Sequence, residues 1–381
     1  MREAGINIEL SHEVLSVDFD HKKVEVKDLK NDTTKTLDYD KLMIATGATA
    51  IVPPIEGVDS ENVYTITKPY TVNKLKANLD QYQDIVVIGG GFIGVEVAEQ
   101  LAHLGKTVHV VEALDHIMSG PFDVEFTDKL KEALEETGTH VHTSERAERF
   151  IVEAGKVVSV KTNKQTLKAD AVIMSVGFRP NTHFVKDQLE MLGNGAIVIN
   201  KYGETSQKDV FSAGDCASIP HRLSGNKYIP LATYANKMGR LIGSNIVLEE
   251  KDWLGFAGAL GSSAIKVGNY EASSTGLTEK EAKDLGKDVK TTLIYANNHS
   301  NYYTDVPQDK VMIKLIYDAN TKVLYGAQLF GKNETVLRMT GLTTAIHAGL
   351  TTDEIGFIDY AYAPPFASTW EALNVAANTA K

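Results

Sequence analysis

The sequence predicts an α/β protein with two parallel-sheet domains, the first incomplete, and a further α+β domain at its C-terminal end. Three observations predict this. A glycine-rich strand-turn-helix surrounds Gly89, a meander followed by an apolar strand occurs twice, and the texture changes after residue 257.

The 381 residues exceed what one ordinary core organises, so several domains are expected. Residues 11–40 alternate as an antiparallel meander: Val14, Val17 and Phe19, then Val24 and Val26, then Leu37 and Tyr39. An apolar strand, Leu42 to Ala45, then runs into Thr46-Gly47. The pattern returns over roughly residues 140–170, leading into Val172 to Val176 and Gly177, an offset of 130 (177 − 47). The second copy has Gly89 standing 88 positions before Gly177 (177 − 89), whereas only 46 residues precede Gly47. The first copy is therefore expected to lack its own strand-turn-helix, with Met1 an internal methionine or a mis-set start.

The glycine-rich element carries the chemistry. Asp84 to Ile88 reads as a buried strand, and Gly89, Gly91 and Gly94 follow at Gly-x-Gly-x-x-Gly spacing. Gly89 allows a tight turn, Gly91 lets a pyrophosphate approach the backbone, and Gly94 lets helix pack on strand. Ile93, Val97, Ala98, Leu101 and Leu104 share one helical face, and Gly105 ends the helix. The next strand, Thr107 to Val111, delivers Glu112 at its tip, 23 positions after Gly89 (112 − 89). An acidic tip accepts ribose hydroxyls and repels a 2′-phosphate, so NADH is favoured over NADPH. These spacings make the domain around Gly89 Rossmann-like and dinucleotide-binding, and the repeat extends that expectation to the first, incomplete copy.

A second nucleotide signal is Val210 to Ala213 ending in Gly214-Asp215, which puts a carboxylate beside a polyol hydroxyl. A helix over about Leu231 to Ile246 follows, with Leu231, Ala232 and Thr233 at its start and amides free for an anionic group.

Composition limits the alternatives. A net charge of −11 without basic clusters argues against nucleic acid. Met1 to Leu10 holds no apolar signal core, and no run of eighteen apolar residues occurs; the cytoplasm is the expected compartment and no membrane partner is expected. One cysteine, Cys216, excludes an internal disulfide and a Cys-based zinc site. It reads as a small buried apolar residue. His140 and His142 share a strand face but lack a third ligand, so no metal is expected.

In order, Ala45-Thr46-Gly47, the Gly89 motif with Glu96, Ser175 to Asn181 and Ala213-Gly214-Asp215 resemble the FAD-dependent pyridine nucleotide-disulfide oxidoreductases. Tyr360 to Phe366 and the Trp370 to Ala377 ending resemble the branch of coenzyme A-disulfide reductases, NADH oxidases and NADH peroxidases. The resemblance covers essentially the whole chain. It implies FAD and NAD(P)H as cofactors, with Ala45, Thr46, Gly47, Gly214, Asp215, Leu231, Ala232 and Thr233 on the flavin side. Gly89, Gly91, Ile93, Gly94, Glu96, Glu112 and Gly177 fall on the nicotinamide nucleotide side. It implies a FAD domain over 1–66 and 183–256, a NAD(P) domain over 67–182 and a dimerisation domain over 257–381, hence a homodimer.

Tyr303, beside Tyr302, and Tyr362 match places where the reductases carry an active-site tyrosine. The family's N-terminal glycine motif and redox cysteine are both missing from this chain. The implied function is coenzyme A-disulfide reductase, with an oxidase of NADH acting on oxygen or peroxide as the alternative. A non-catalytic nucleotide-binding remnant is the alternative of another class.

Overall fold

A computed structural model describes residues 5–381, and Met1 lies outside them. The chain divides into two compact units, Met1–Thr49 with Arg179–Ala259, and Ala50–Phe178 with Leu260–Lys381.

The first unit begins with an antiparallel meander, His12–Asp18, Lys23–Asp28 and Thr33–Asp38. Val24 and Val26 point inward and Glu25 outward, as period-two alternation requires. The third strand is exposed throughout, so Leu37, expected inward, faces solvent. Leu42–Ile44 pairs in parallel with Val210–Ser212, and this sheet has two strands. Helix Ala232–Asn245 packs Tyr234, Met238 and Ile242 into a core with Ile44, Val210 and Phe211.

The second unit holds a five-stranded parallel sheet in the order Val63–Thr65, Ala171–Met174, Asp84–Ile88, Thr107–Val111, His140–His142. Residues 85–88 of its middle strand are buried because Ile85 and Val87 pack against helices and Val86 and Ile88 against the meander of Ala147–Glu153, Lys156–Thr162 and Thr166–Lys168, which is why they read as an unbroken apolar run. Val63–Thr65 is hydrogen-bonded to Ala171–Met174 in this sheet, and residues 50–66, expected with the FAD domain, fall in the second compact unit. His140–His142 is likewise a strand of the parallel sheet, and the second meander is confined to Ala147–Glu153, Lys156–Thr162 and Thr166–Lys168.

Five antiparallel strands follow in the order Ser263–Val267, Tyr270–Gly276, Leu324–Gly331, Lys310–Asp318, Val289–Asn297. This sheet does not keep a core to itself. Ile265, Val267, Ala272, Met312 and Phe330 belong to the same cluster as Ile85, Val95, Leu101 and Phe126 of the parallel layer. That merger makes residues 50–178 and 260–381 one compact unit where two were expected.

A buried polar cluster sits at the same junction. Lys314, only 2% exposed, lies 3.2 Å from Asp123, 2.9 Å from Glu125 and 2.8 Å from Glu279. Burial alone would lower the Lys314 pKa, and the bonds to Glu279 and Glu125 raise it above the ordinary value. Asp123 exchanges two further bonds with the Gln328 amide, at 2.9 and 2.8 Å.

Candidate functional site

Two glycines of the turn after Asp84–Ile88 have a steric reason, and a third borders open space. Gly89 has φ +105°, and a Cβ there would lie 2.5 Å from the Ser175 carbonyl oxygen. A Cβ on Gly94 would collide with the Gly89 carbonyl oxygen, so only glycine lets the helix come this close. A Cβ on Gly91 would meet nothing within 4 Å, and the open space lies at the start of helix Phe92–His103. No side chain caps that helix start, which leaves amide donors for an anion.

Glu112 is fastened across the turn. The Gly90 N–H donates to its Oε2 at 2.6 Å and the Leu114 N–H to its Oε1 at 2.8 Å. Each carboxylate oxygen keeps a lone pair that can accept a hydroxyl. Ser175, noted in the sequence only as part of the Ser175 to Asn181 motif, donates to the carbonyls of Ile88 at 2.9 Å and Gly89 at 3.0 Å and locks the neighbouring strand tip to the turn. Ile93 is half-buried in the first helical turn. Glu96 is exposed, yet partial desolvation raises its carboxyl above the ordinary value. Leu104, expected on the apolar face, is 63% exposed because the helix ends at His103. Gly177 follows its strand with φ +106°, and a Cβ there would meet only the tip of Ile51, at 3.9 Å.

In the first unit, the parallel pair ends on Ala45-Thr46-Gly47 and on Gly214-Asp215. The Thr46 hydroxyl donates to the Asn181 carbonyl at 2.7 Å, and the Asn181 side-chain amide returns a bond to the Thr46 carbonyl at 3.0 Å. Thr46 therefore has a structural partner, and its loop is held by Asn181. Asp215 is half-buried and borders a shallow hollow with Gly214, Leu231, Tyr234, Ala235 and Met238. Ala232 and Thr233 are exposed at a helix start that no side chain caps. Tyr228 donates to the Asp215 carbonyl at 3.0 Å, and burial, then the Asp215 charge, push its phenol to about 12.

Cys216 is fully buried behind these strands. Its thiol lies 3.3 Å from the Ala213 carbonyl and 3.5 Å from that of Ile44. It packs as the small apolar residue expected.

In the second unit the Tyr302 and Tyr362 hydroxyls meet at 2.5 Å. The bond from Tyr302, then bonds from Thr369 and Ser300, hold the Tyr362 phenol below its ordinary value. Tyr303, chosen from the sequence, does not join this pair; its carbonyl accepts from Gln308 at 2.6 Å.

His140 and His142 do have a third histidine beside them. His109 stacks on both rings at 4.7 and 5.3 Å, and desolvation followed by repulsion from His140 and His142 lowers it to about 4. The rings lie nearly parallel, and among the described residues no group of three or more ligands is placed to hold a metal.

Residues 1–239 match the family model for pyridine nucleotide-disulphide oxidoreductases, and residues 262–373 match the dimerisation domain of the same family. The chain is 36% identical to an NADH oxidase of Enterococcus faecalis, over 99% of this chain and 84% of that protein. It is 34% identical to an NAD(P)H coenzyme A polysulfide/persulfide reductase of Pyrococcus horikoshii, over 100% of this chain and 84% of that one. Among solved structures, the water-forming NADH oxidase of Lactobacillus brevis bound to NADH superposes with a TM-score of 0.94 at 32% identity, covering 100% of this chain and 83% of that one. A NAD-dependent persulfide reductase from A. fulgidus gives 0.92 at 32%, covering 99% and 69%. Fold, glycine turn and both family matches agree, and the chain belongs to the pyridine nucleotide-disulphide oxidoreductases, enzymes that use NAD(P)H and a flavin.

Proposed function

We propose that this chain carries the nicotinamide-nucleotide seat and the acceptor-side tyrosines of a coenzyme A-disulfide reductase. The net reaction is NADH + H⁺ + CoA–S–S–CoA → NAD⁺ + 2 CoA–SH. The observation that carries the acceptor assignment is the Tyr302–Tyr362 contact. A phenol that releases its proton more readily than usual is a fitting donor to a departing thiolate.

Gly89, Gly91, Ile93 and Gly94 supply the pyrophosphate turn, Glu112 accepts the adenine ribose hydroxyls, and Glu96 and Gly177 line the nicotinamide end. NADH is the preferred nucleotide, because Glu112 leaves no place for a dianionic 2′-phosphate. A supporting parallel comes from the Lactobacillus brevis oxidase engineered to use NADPH. Its exchanges include a glycine and, eighteen positions on, an aspartate and the alanine after it, which becomes arginine. Gly94, Glu112 and Ala113 have that spacing here (112 − 94).

FAD, when bound, supplies the two-electron relay between nucleotide and disulfide. Asp215, Gly47 and the open helix start at Leu231, Ala232 and Thr233 fit its polyol and anionic ring. Among the described residues the first unit offers no glycine-rich pyrophosphate seat, so the fit covers part of the cofactor. The one thiol, Cys216, is buried and is not the exchanging group.

An NADH oxidase or peroxidase is the second reading, favoured by the Enterococcus faecalis relative. Pairing of two copies through the C-terminal sheet and its helices accounts for Phe357, Phe366 and Trp370, which are 76%, 69% and 52% exposed. A cytoplasmic setting suits the single free cysteine.

The test is a pair of titrations on the purified chain. Calorimetry should give tighter NADH than NADPH binding, and coenzyme A disulfide should perturb tyrosine absorbance in the native chain but not in Tyr362→Phe. Equal or tighter NADPH binding, or a disulfide response that Tyr362→Phe leaves intact, contradicts the reading.

A further inference from the structure

The segments bearing Tyr302 and Tyr362 both touch one side chain that belongs to neither. Arg338 ends the short turn Thr335–Arg338 and leads into helix Met339–Ala348. Its Nε donates to Glu371 Oε1 at 2.5 Å. One terminal nitrogen donates to Asn298 Oδ1 at 2.5 Å. The other donates to the carbonyls of Asn298 at 2.9 Å and Phe366 at 3.3 Å.

Asn298 opens the loop that carries Tyr302, and its own N–H is bonded to the Asp309 carbonyl at the far end of that loop. Phe366 lies four residues beyond Tyr362, in the segment held by the bond from its N–H to the Ala363 carbonyl at 2.9 Å. Two hydroxyls lace the segments together, Ser300 to the Ala367 carbonyl at 3.0 Å and Ser368 to the His299 carbonyl at 3.1 Å. Neutralising Glu371 takes one arm of the guanidinium. The remaining donors go to the tyrosine segments, and a planar fork fixes their spacing as a point charge would not.

A hydroxyl pair tolerates little error. Oxygen–oxygen bonds form over about 2.5 to 3.0 Å, so a slip of roughly 1 Å between the segments separates the phenols. We infer that Arg338 is a positioning residue, the brace that sets the two segments in register so that the Tyr302 and Tyr362 hydroxyls meet. This rests on the proposal that the tyrosine pair serves the acceptor side.

The experiment is an alkaline titration of the full chain followed by tyrosinate absorbance, with Tyr302→Phe and Tyr362→Phe identifying the early phenol. Arg338→Lys keeps a cation for Glu371 but cannot fork, and Arg338→Gln removes the charge. In both, the Tyr362 ionisation should move up by about one unit, roughly tenfold in its constant, while far-ultraviolet dichroism and NADH affinity stay at native values. Should Arg338→Gln fail to fold, the lysine variant decides alone. An early phenol that persists in Arg338→Lys and vanishes in Tyr302→Phe overturns the role of Arg338 and leaves the tyrosine pair standing. A Tyr362 ionisation unmoved by Tyr302→Phe removes the pair itself, and the brace with it.

Discussion

The two units contain the same local motif in different frames. In each, an antiparallel meander precedes an apolar strand that ends on a positive-φ glycine, Gly47 in one and Gly177 in the other. Around Gly177 stand five parallel strands, an uncapped helix start and the fastened carboxylate of Glu112. Beside Gly47 stands a sheet of two strands, three residues each. The strand-glycine ending is thus only part of a nucleotide site. The anion seat comes from the strand-turn-helix, and only the second unit displays one among the described residues.

The sharpest way to break this comparison is to ask which unit holds its dinucleotide. The purified chain should bind one NADH yet retain far less than one FAD. Two charge-assisted phosphate contacts at roughly 1.5 to 3 kcal/mol each already weaken FAD by several orders of magnitude. Flavin absorbance and NADH calorimetry on the same preparation check this. Stoichiometric yellow protein that oxidises NADH in response to coenzyme A disulfide would show that the first unit is complete in function.

Stability separates the units next. Lys314→Ala leaves Asp123, Glu125 and Glu279 facing one another at a buried site, which should cost the second unit about 3 to 5 kcal/mol. The first unit should be unaffected. Trp253 reports on the first unit and Trp370 on the second, so urea melts of the two single-tryptophan forms read them separately. Equal losses at both tryptophans would mean that the units unfold together.

The smallest expected effect is a pH dependence confined to the second unit. His109 titrates near 4 in the folded chain against an ordinary value of 6.5. Between these values the unfolded chain binds the proton and the folded one does not, so stability is lost as pH falls through that window. His109→Leu should flatten the Trp370 melt between pH 6.5 and 4. An unchanged slope would assign the acid response elsewhere. Glu279 contributes from the acid end of this range downward: Lys283 and then Lys314 hold its carboxyl below 4.5, so its stabilisation is present above that value and lost as pH falls further.

What was legible in the sequence is what short-range sterics decide. The spacing of Gly89 and Gly94 announces the close approaches that the turn makes, and Glu112 follows at the tip of the next strand. The pairing of Val63–Thr65 with the parallel sheet was not legible, because it is a three-residue strand whose partner, Ala171–Met174, lies more than a hundred positions away. That Tyr302, and not Tyr303, meets Tyr362 was hidden for a related reason. Adjacent residues in a loop point differently, and the bracing that selects Tyr302 comes from Arg338 and Ser300, which no local pattern relates to it. His109 left a trace that could have been followed, a histidine amid the apolar residues of Thr107–Val111, on the strand beside His140 and His142.

The core shared between the parallel and antiparallel layers has a consequence for synthesis on the ribosome. Helix Phe92–His103 is covered in part by strand Ser263–Val267, which is translated about 160 residues later (263 − 103). At roughly 5 to 20 residues per second, that apolar face waits on the order of ten seconds or more for its cover. Meanwhile residues 179–259, the whole second segment of the other unit, emerge. Nascent chains halted before residue 263 should therefore expose this helix to holdase chaperones, and chains halted well past Gly276, with both strands clear of the exit tunnel, should not.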